Sequence, residues 1–149
     1  MPFRSPLLSL QRLRLSLERV AWLRLKTLHA QIAAASARLD GLQQEKKSIL
    51  KATAGSLREG LQSEELRLDS VTALEFEEAR VDKLLKKLVE QRQEAEREYM
   101  RCRREREMVE NAIEGEREAY EEELRGREQA AVDDETLQRI TREREVTRW

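Results

Sequence analysis

Of the 149 residues, 40% are Asp, Glu, Lys or Arg and only 4% are aromatic, with five glycines and two prolines. A compact globule of this size needs many large apolar side chains and frequent turns; a charge-rich Leu/Glu/Arg/Lys/Ala chain buries a narrow seam between helices instead. The net charge of −1 excludes an overall field that would draw the chain to nucleic acid or to an anionic membrane.

The charge is unevenly spread. Residues 1–53 carry 10 Lys/Arg against 3 Asp/Glu, whereas residues 54–149 carry 19 against 27. Opposite signs in two segments predict that they lie against each other. Cys102 is the only cysteine, so no internal disulfide or cysteine-based metal site forms. The opening Met1-Pro2-Phe3-Arg4-Ser5-Pro6 does not read as a signal peptide, and Arg12, Arg14, Glu18 and Arg19 break the apolar stretch behind it. No run approaches the ~20 apolar residues that span a bilayer, and the expected location is the cytoplasm.

Ser5 followed by Pro6 reads as a helix start, the hydroxyl capping free amides and the proline suiting the first helical position. Lys46, Lys47 and Lys51 favour the negative end of the helix dipole, and Gly55 can close the helix. Helix one is therefore expected over about 6–54. The stretch Ala54-Gly55-Ser56-Leu57-Arg58-Glu59-Gly60-Leu61-Gln62-Ser63 is the best turn in the chain, and the turn is placed at about 55–69. Ser63, Asp69 and Ser70 are candidate caps for helix two, while Thr72 and Glu75 have capping-box spacing; this helix is expected over about 70–145.

Along helix two, steps of three and four link Val71, Leu74, Glu78, Val81, Leu85, Leu88, Arg92, Ala95, Tyr99, Cys102, Arg106, Val109, Ile113, Glu116 and Tyr120. Eleven of these fifteen are apolar or aromatic, which decides for a heptad seam. Helix one answers with Ala21, Leu25, Leu28, Ile32, Ala35, Leu39, Leu42, Lys46 and Ile49. An earlier seam of Leu10, Leu13 and Leu17 joins it through an eleven-residue stutter from Leu17 to Leu28. A short turn between such helices makes them antiparallel neighbours. The fold class is thus all-α: one coiled-coil domain over 1–149, a two-helix antiparallel hairpin in which helix two overhangs. Leu10 should fall near Ile113 and Leu28 near Ala95, with the overhang reaching ~40 Å at 1.5 Å per residue.

The start of helix one holds more leucine than one stripe can bury. Leu8, Leu15 and Trp22 form a second heptad face, nearly opposite Leu10, Leu13 and Leu17, and are candidate partner-binding residues. Arg97, Arg101, Arg103, Arg104 and Arg106 alternate with Glu96, Glu98, Glu105 and Glu107, a pattern of i,i+4 pairing on a solvated face rather than a nucleic-acid-binding helix. His29, the only histidine, has no ligand set around it, and Cys102 reads as a small seam residue. Gly115 and Gly126 lie eleven apart on a similar face, where tolerance outweighs close approach of another backbone. No catalytic, metal-binding or cofactor-binding residue set is present, so no enzyme is expected.

Several stretches resemble the FliJ family of flagellar type III export components. Tyr99 precedes the arginine-rich run Arg101 to Arg106. Arg127-Glu128-Gln129-Ala130-Ala131-Val132-Asp133-Asp134-Glu135 is similar to the family's closing signature, and Phe3, Leu7, Leu10 and Leu13 to its opening. The resemblance implies a stalk-like hairpin of the cytoplasmic export apparatus, peripheral to the inner membrane. It would associate with the ring-forming export ATPase, the cytoplasmic domain of the export gate and export chaperones, and Arg127, Glu128 and Gln129 become candidate partner-binding residues. Stalk proteins of virulence-type secretion systems and the central stalk of A/V-type rotary ATPases are alternatives with the same fold, and a generic dimerising coiled-coil scaffold, which a parallel dimer would mark, is a third.

Overall fold

The computed structural model describes residues 3–55 and 61–147, with side chains over 3–53 and 65–147. The described residues form two α-helices: α1, Leu8–Gly55, and α2, Leu61–Thr147. No strand occurs among the described residues, and no helix is long and apolar enough to cross a membrane. Contacts divide the chain into two units, one of residues 1–16 with 103–149 and one of residues 17–102, where the sequence suggests one domain.

Both helices feed the second unit, and α1 and α2 run antiparallel there. Arg38 approaches Glu77 at 3.9 Å, and further along α1 Lys46 meets Glu75 at 3.1 Å, earlier along α2. The apolar core consists of Leu28 and Ala35 from α1 with Leu88 and Ala95 from α2, flanked by Leu25, Ile32 and Leu85. Ala95 is 1% exposed, which allows close approach of the two helices at that level, and the expected proximity of Leu28 and Ala95 is realised within this cluster. All residues assigned to the seam between Ala21 and Cys102 are buried or half-buried. Among the described residues no large side chain is fully buried. A two-helix seam removes only a narrow strip of apolar surface from water, so the pair gains little burial energy per residue ordered.

The first unit is also antiparallel. Phe3 lies beside Tyr120, Ser5 bonds Glu116, and Arg14 pairs with Glu105, so the α2 partner number falls as the other rises. Beyond Tyr120 every described residue of α2 is exposed, and this is the expected overhang.

Two expectations are corrected. Helix α2 starts at Leu61, well before residue 70. The hydroxyls of Ser70 and Thr72 donate to the carbonyls of Leu66 and Leu68, one turn back, so these residues sit inside the helix and do not cap it. After Gly60 no glycine or proline interrupts Leu-Gln-Ser-Glu-Glu-Leu-Arg-Leu-Asp, so nothing opposes helix there. Residues 56–60, the centre of the expected turn, lie outside the described residues.

The second correction concerns the stutter. The α1 seam continues backward from Ala21 in unbroken three-four steps through Glu18, Arg14, Gln11 and Leu7, all at least half-buried, whereas Leu13 and Leu17 are exposed. Arg14 is stabilised in the seam by its carboxylate partner Glu105, and the leucines beside it are turned outward.

Candidate protein interface

The start of α1 is set by Ser5. Its hydroxyl oxygen accepts the Leu7 amide at 3.2 Å, the Ser5 carbonyl accepts the Leu8 amide at 3.4 Å, and the hydroxyl itself donates to the Glu116 carboxylate. One residue therefore caps the helix and ties it to α2, which explains why a serine is only 6% exposed. Phe3 adds a tilted ring contact with Tyr120 at 5.6 Å between centroids, and the Arg117 guanidinium lies 5.9 Å from the Phe3 ring centre. Arg14 completes the clasp through Glu105.

With Leu7, Gln11 and Arg14 facing α2, the rotation of about 100° per residue fixes where the neighbouring leucines point. Leu8 and Leu15 follow seam positions and face solvent on one flank; Leu13 precedes Arg14 and faces solvent on the other. In the second unit Trp22 follows Ala21 and is likewise exposed, with the Lys26 ammonium 5.0 Å from its ring centre. Exposures are 41% for Leu8 and 44% for both Leu15 and Trp22. Val20 and Leu23, part of the same apolar excess but not assigned to that face, are exposed as well, as is Phe76 on α2, at 80%, which sequence reasoning did not single out. Counting the heptad backward from Ala21 places Val20 and Leu23, and also Leu13 and Leu17, at the surface.

On the exposed end of α2, the Arg127 guanidinium pairs with Glu123 at 2.8 Å and the Gln129 amide donates to Asp133 at 3.0 Å, both one turn apart; Glu128 is exposed beside them. Of the assigned seam residues, Leu28, Leu42, Val81 and Leu88 are buried. Leu25, Ile32, Leu39, Leu85, Tyr99, Val109 and Ile113 are half-buried.

The arginine-rich stretch is internally neutralised. Arg101 pairs with Glu98, Arg103 with Glu107 at 3.1 Å, and Arg106 with Glu110 at 2.8 Å. The Arg101 hydrogen bond holds the Glu98 carboxyl below its ordinary pKa, and the Glu75 hydrogen bond holds the Lys46 ammonium above its own. Cys102 is buried, its thiol 3.7 Å from the Glu98 carboxylate. No cluster of His, Cys, Asp and Glu that could hold a metal ion occurs among the described residues. A Cβ built on Gly115 or Gly126 meets nothing within 4 Å, so neither glycine is required by packing within the chain.

The first unit thus presents leucines turned outward beside a polar clasp of Ser5, Arg14 and their α2 partners. The family described as "Flagellar FliJ protein" matches residues 3–145. The chain belongs to the FliJ family. This makes it a coiled-coil protein related to flagellar protein export. No curated protein and no solved structure matches the chain.

Proposed function

We propose that this FliJ-family protein is a non-enzymatic stalk and adaptor of the flagellar export apparatus, linking the export ATPase ring to the cytoplasmic domain of the export gate and to export chaperones. It acts in the cytoplasm, peripheral to the inner membrane. ATP hydrolysis takes place on the partner, and the coiled coil transmits the resulting movement or promotes ring assembly. The observation that carries this reading is the outward placement of Leu8 and Leu15 at the end where Ser5, Phe3 and Arg14 clasp α2. Exposed leucines on a helix held in place by polar contacts are suited to insertion into a partner's apolar pocket.

The test is capture of the purified export ATPase and gate domain, with ATP turnover measured in parallel. Wild-type chain should bind and raise turnover. Leu8→Ser with Leu15→Ser should reduce both by about tenfold, the loss expected for two well-packed anchors, and Trp22→Ser is measured separately. Absence of wild-type binding would overturn the adaptor role, and undiminished binding by both folded variants would remove these residues from the interface.

A further inference from the structure

A shallow groove of about 760 Å³ runs along the second unit, between the 31–38 stretch of α1 and the 77–88 stretch of α2. Its floor is apolar, made by Ala34, Ala35, Val81, Leu84 and Leu88, and Leu84 remains 50% exposed. Its rim is basic: Arg38, Arg80, Lys83 and Lys87 against the single carboxylate of Glu77. Arg38 and Arg80 both lie at the edge of ion-pair range from Glu77, at 3.9 and 3.8 Å, whereas no ion pair of Lys83 or Lys87 occurs among the described residues. Arg80, Leu84 and Lys87 follow the four-three spacing of a helix stripe, so cation, leucine and cation face outward in succession.

The exposed end of α2 in the first unit has the complementary stripe. Glu121, Leu124, Glu128, Ala131 and Glu135 follow steps of three and four and all face solvent. Their carboxylates make no ion pair among the described residues; the nearby pairing is Glu123 with Arg127. The surrounding Glu118 to Glu135 segment holds eight acidic residues against two arginines. At 1.5 Å per residue the cationic stripe from Arg80 to Lys87 spans roughly 10 Å, the same as the Glu121–Leu124–Glu128 part of the acidic stripe.

We propose that the groove of one molecule receives the acidic end of α2 from a second copy of this chain. Leu124 lies over Leu84, and Glu121 and Glu128 approach Arg80, Lys83 and Lys87. Docking converts a two-helix seam into a local three-helix one, covering apolar surface and placing opposite charges along its margins. This self-association is independent of the adaptor reading.

Sedimentation of the full chain over a range of concentrations, at low and high salt, tests it. The expected result is a concentration-dependent dimer that weakens at high salt, because the rim charges are exposed and screened. Arg80→Glu, Lys83→Glu and Lys87→Glu together should weaken association about tenfold or more, since like charges then face each other. Glu121→Lys with Glu128→Lys should do the same. An equimolar mixture of the two variants should recover association. All five side chains are exposed, and circular dichroism verifies the helices; Lys83→Gln with Lys87→Gln supplies a milder groove variant. A chain monomeric at every concentration in low salt would overturn the proposal. So would association indifferent to either variant, or a mixture that fails to recover.

Discussion

The two units are held by different forces. In the second, Leu28, Ala35, Leu88 and Ala95 exclude water, and burial of apolar surface supplies the cohesion. In the first, Ser5 is the one buried residue among those described, and the helices are joined by its bond to Glu116, by Arg14 with Glu105 and by the Phe3–Tyr120 contact. Partly exposed ion pairs contribute little, about 0–1 kcal/mol each. The same heptad frame therefore builds a buried apolar cluster in one unit and, in the other, mixes half-buried Leu7, Val109 and Ile113 with Gln11, Arg14, Arg106 and Glu116. With Gln11 and Arg14 at seam positions of α1, Leu8, Leu13 and Leu15 are left at the surface, and that is where the candidate interface lies.

The largest effect should come from Leu88→Ala, which opens a void in the apolar cluster and should cost about 2–3 kcal/mol. Denaturant unfolding followed by helicity reads it, and amides around residues 28–35 should lose protection first. A cost no greater than that of a surface substitution would mean that the cluster is not what holds this unit.

Ser5→Ala removes both the cap and the partner of Glu116, and should cost about 1 kcal/mol. Because it acts on the polar clasp, faster amide exchange should be confined to the first turns of α1 and the neighbouring part of α2, leaving residues 28–35 protected. Equal deprotection of both regions would erase the contrast between the units.

Gly126→Ala sharpens the comparison from the other side. The added methyl meets no atom within the chain, so it should stabilise the exposed end of α2 by about 1 kcal/mol through helix propensity. Exchange of amides near residue 126 should slow, with the unfolding midpoint of the apolar cluster unchanged. Faster exchange would show that the glycine has a local role.

The smallest effect is that of pH. Glu98 has a lowered pKa, so its contribution is present above the ordinary carboxylate value and is lost as pH falls through the lowered one. Lys46 has a raised pKa; its contribution is present below the ordinary lysine value and is lost as pH rises through the raised one. Thermal melts should show a plateau between shallow acid and alkaline limbs, and Glu98→Gln should flatten the acid limb. An acid limb that Glu98→Gln leaves intact would point to other carboxylates.

Much of the fold was legible in residue order. The three-four spacing from Leu25 to Leu42 and from Val81 to Cys102 placed side chains that the structure buries or half-buries. The antiparallel direction followed from one glycine-containing turn between two long helices. The start of α1 was misleading for a definite reason. Leucine marked the wrong positions, because a seam position is identified by what faces it, and Glu105 made an arginine acceptable where leucine was expected. The start of α2 was obscured by serine and threonine, whose hydroxyls cap helices or bond one turn back with equal chemical ease.

The amino-acid order by itself determined that the chain forms two long helices, that the seam repeats every seven residues and that leucine exceeds what one seam can bury. Those properties are local: helix propensity and spacing act within a turn or two of the chain. Only the tertiary pairing decided which leucines were left outside, because Ser5 with Glu116 and Arg14 with Glu105 join residues remote in the chain and set the rotation of α1 against α2. The basic groove opposite Ala34 and Ala35 was decided in the same way, by which cations of α2 the packing brought beside two small residues of α1.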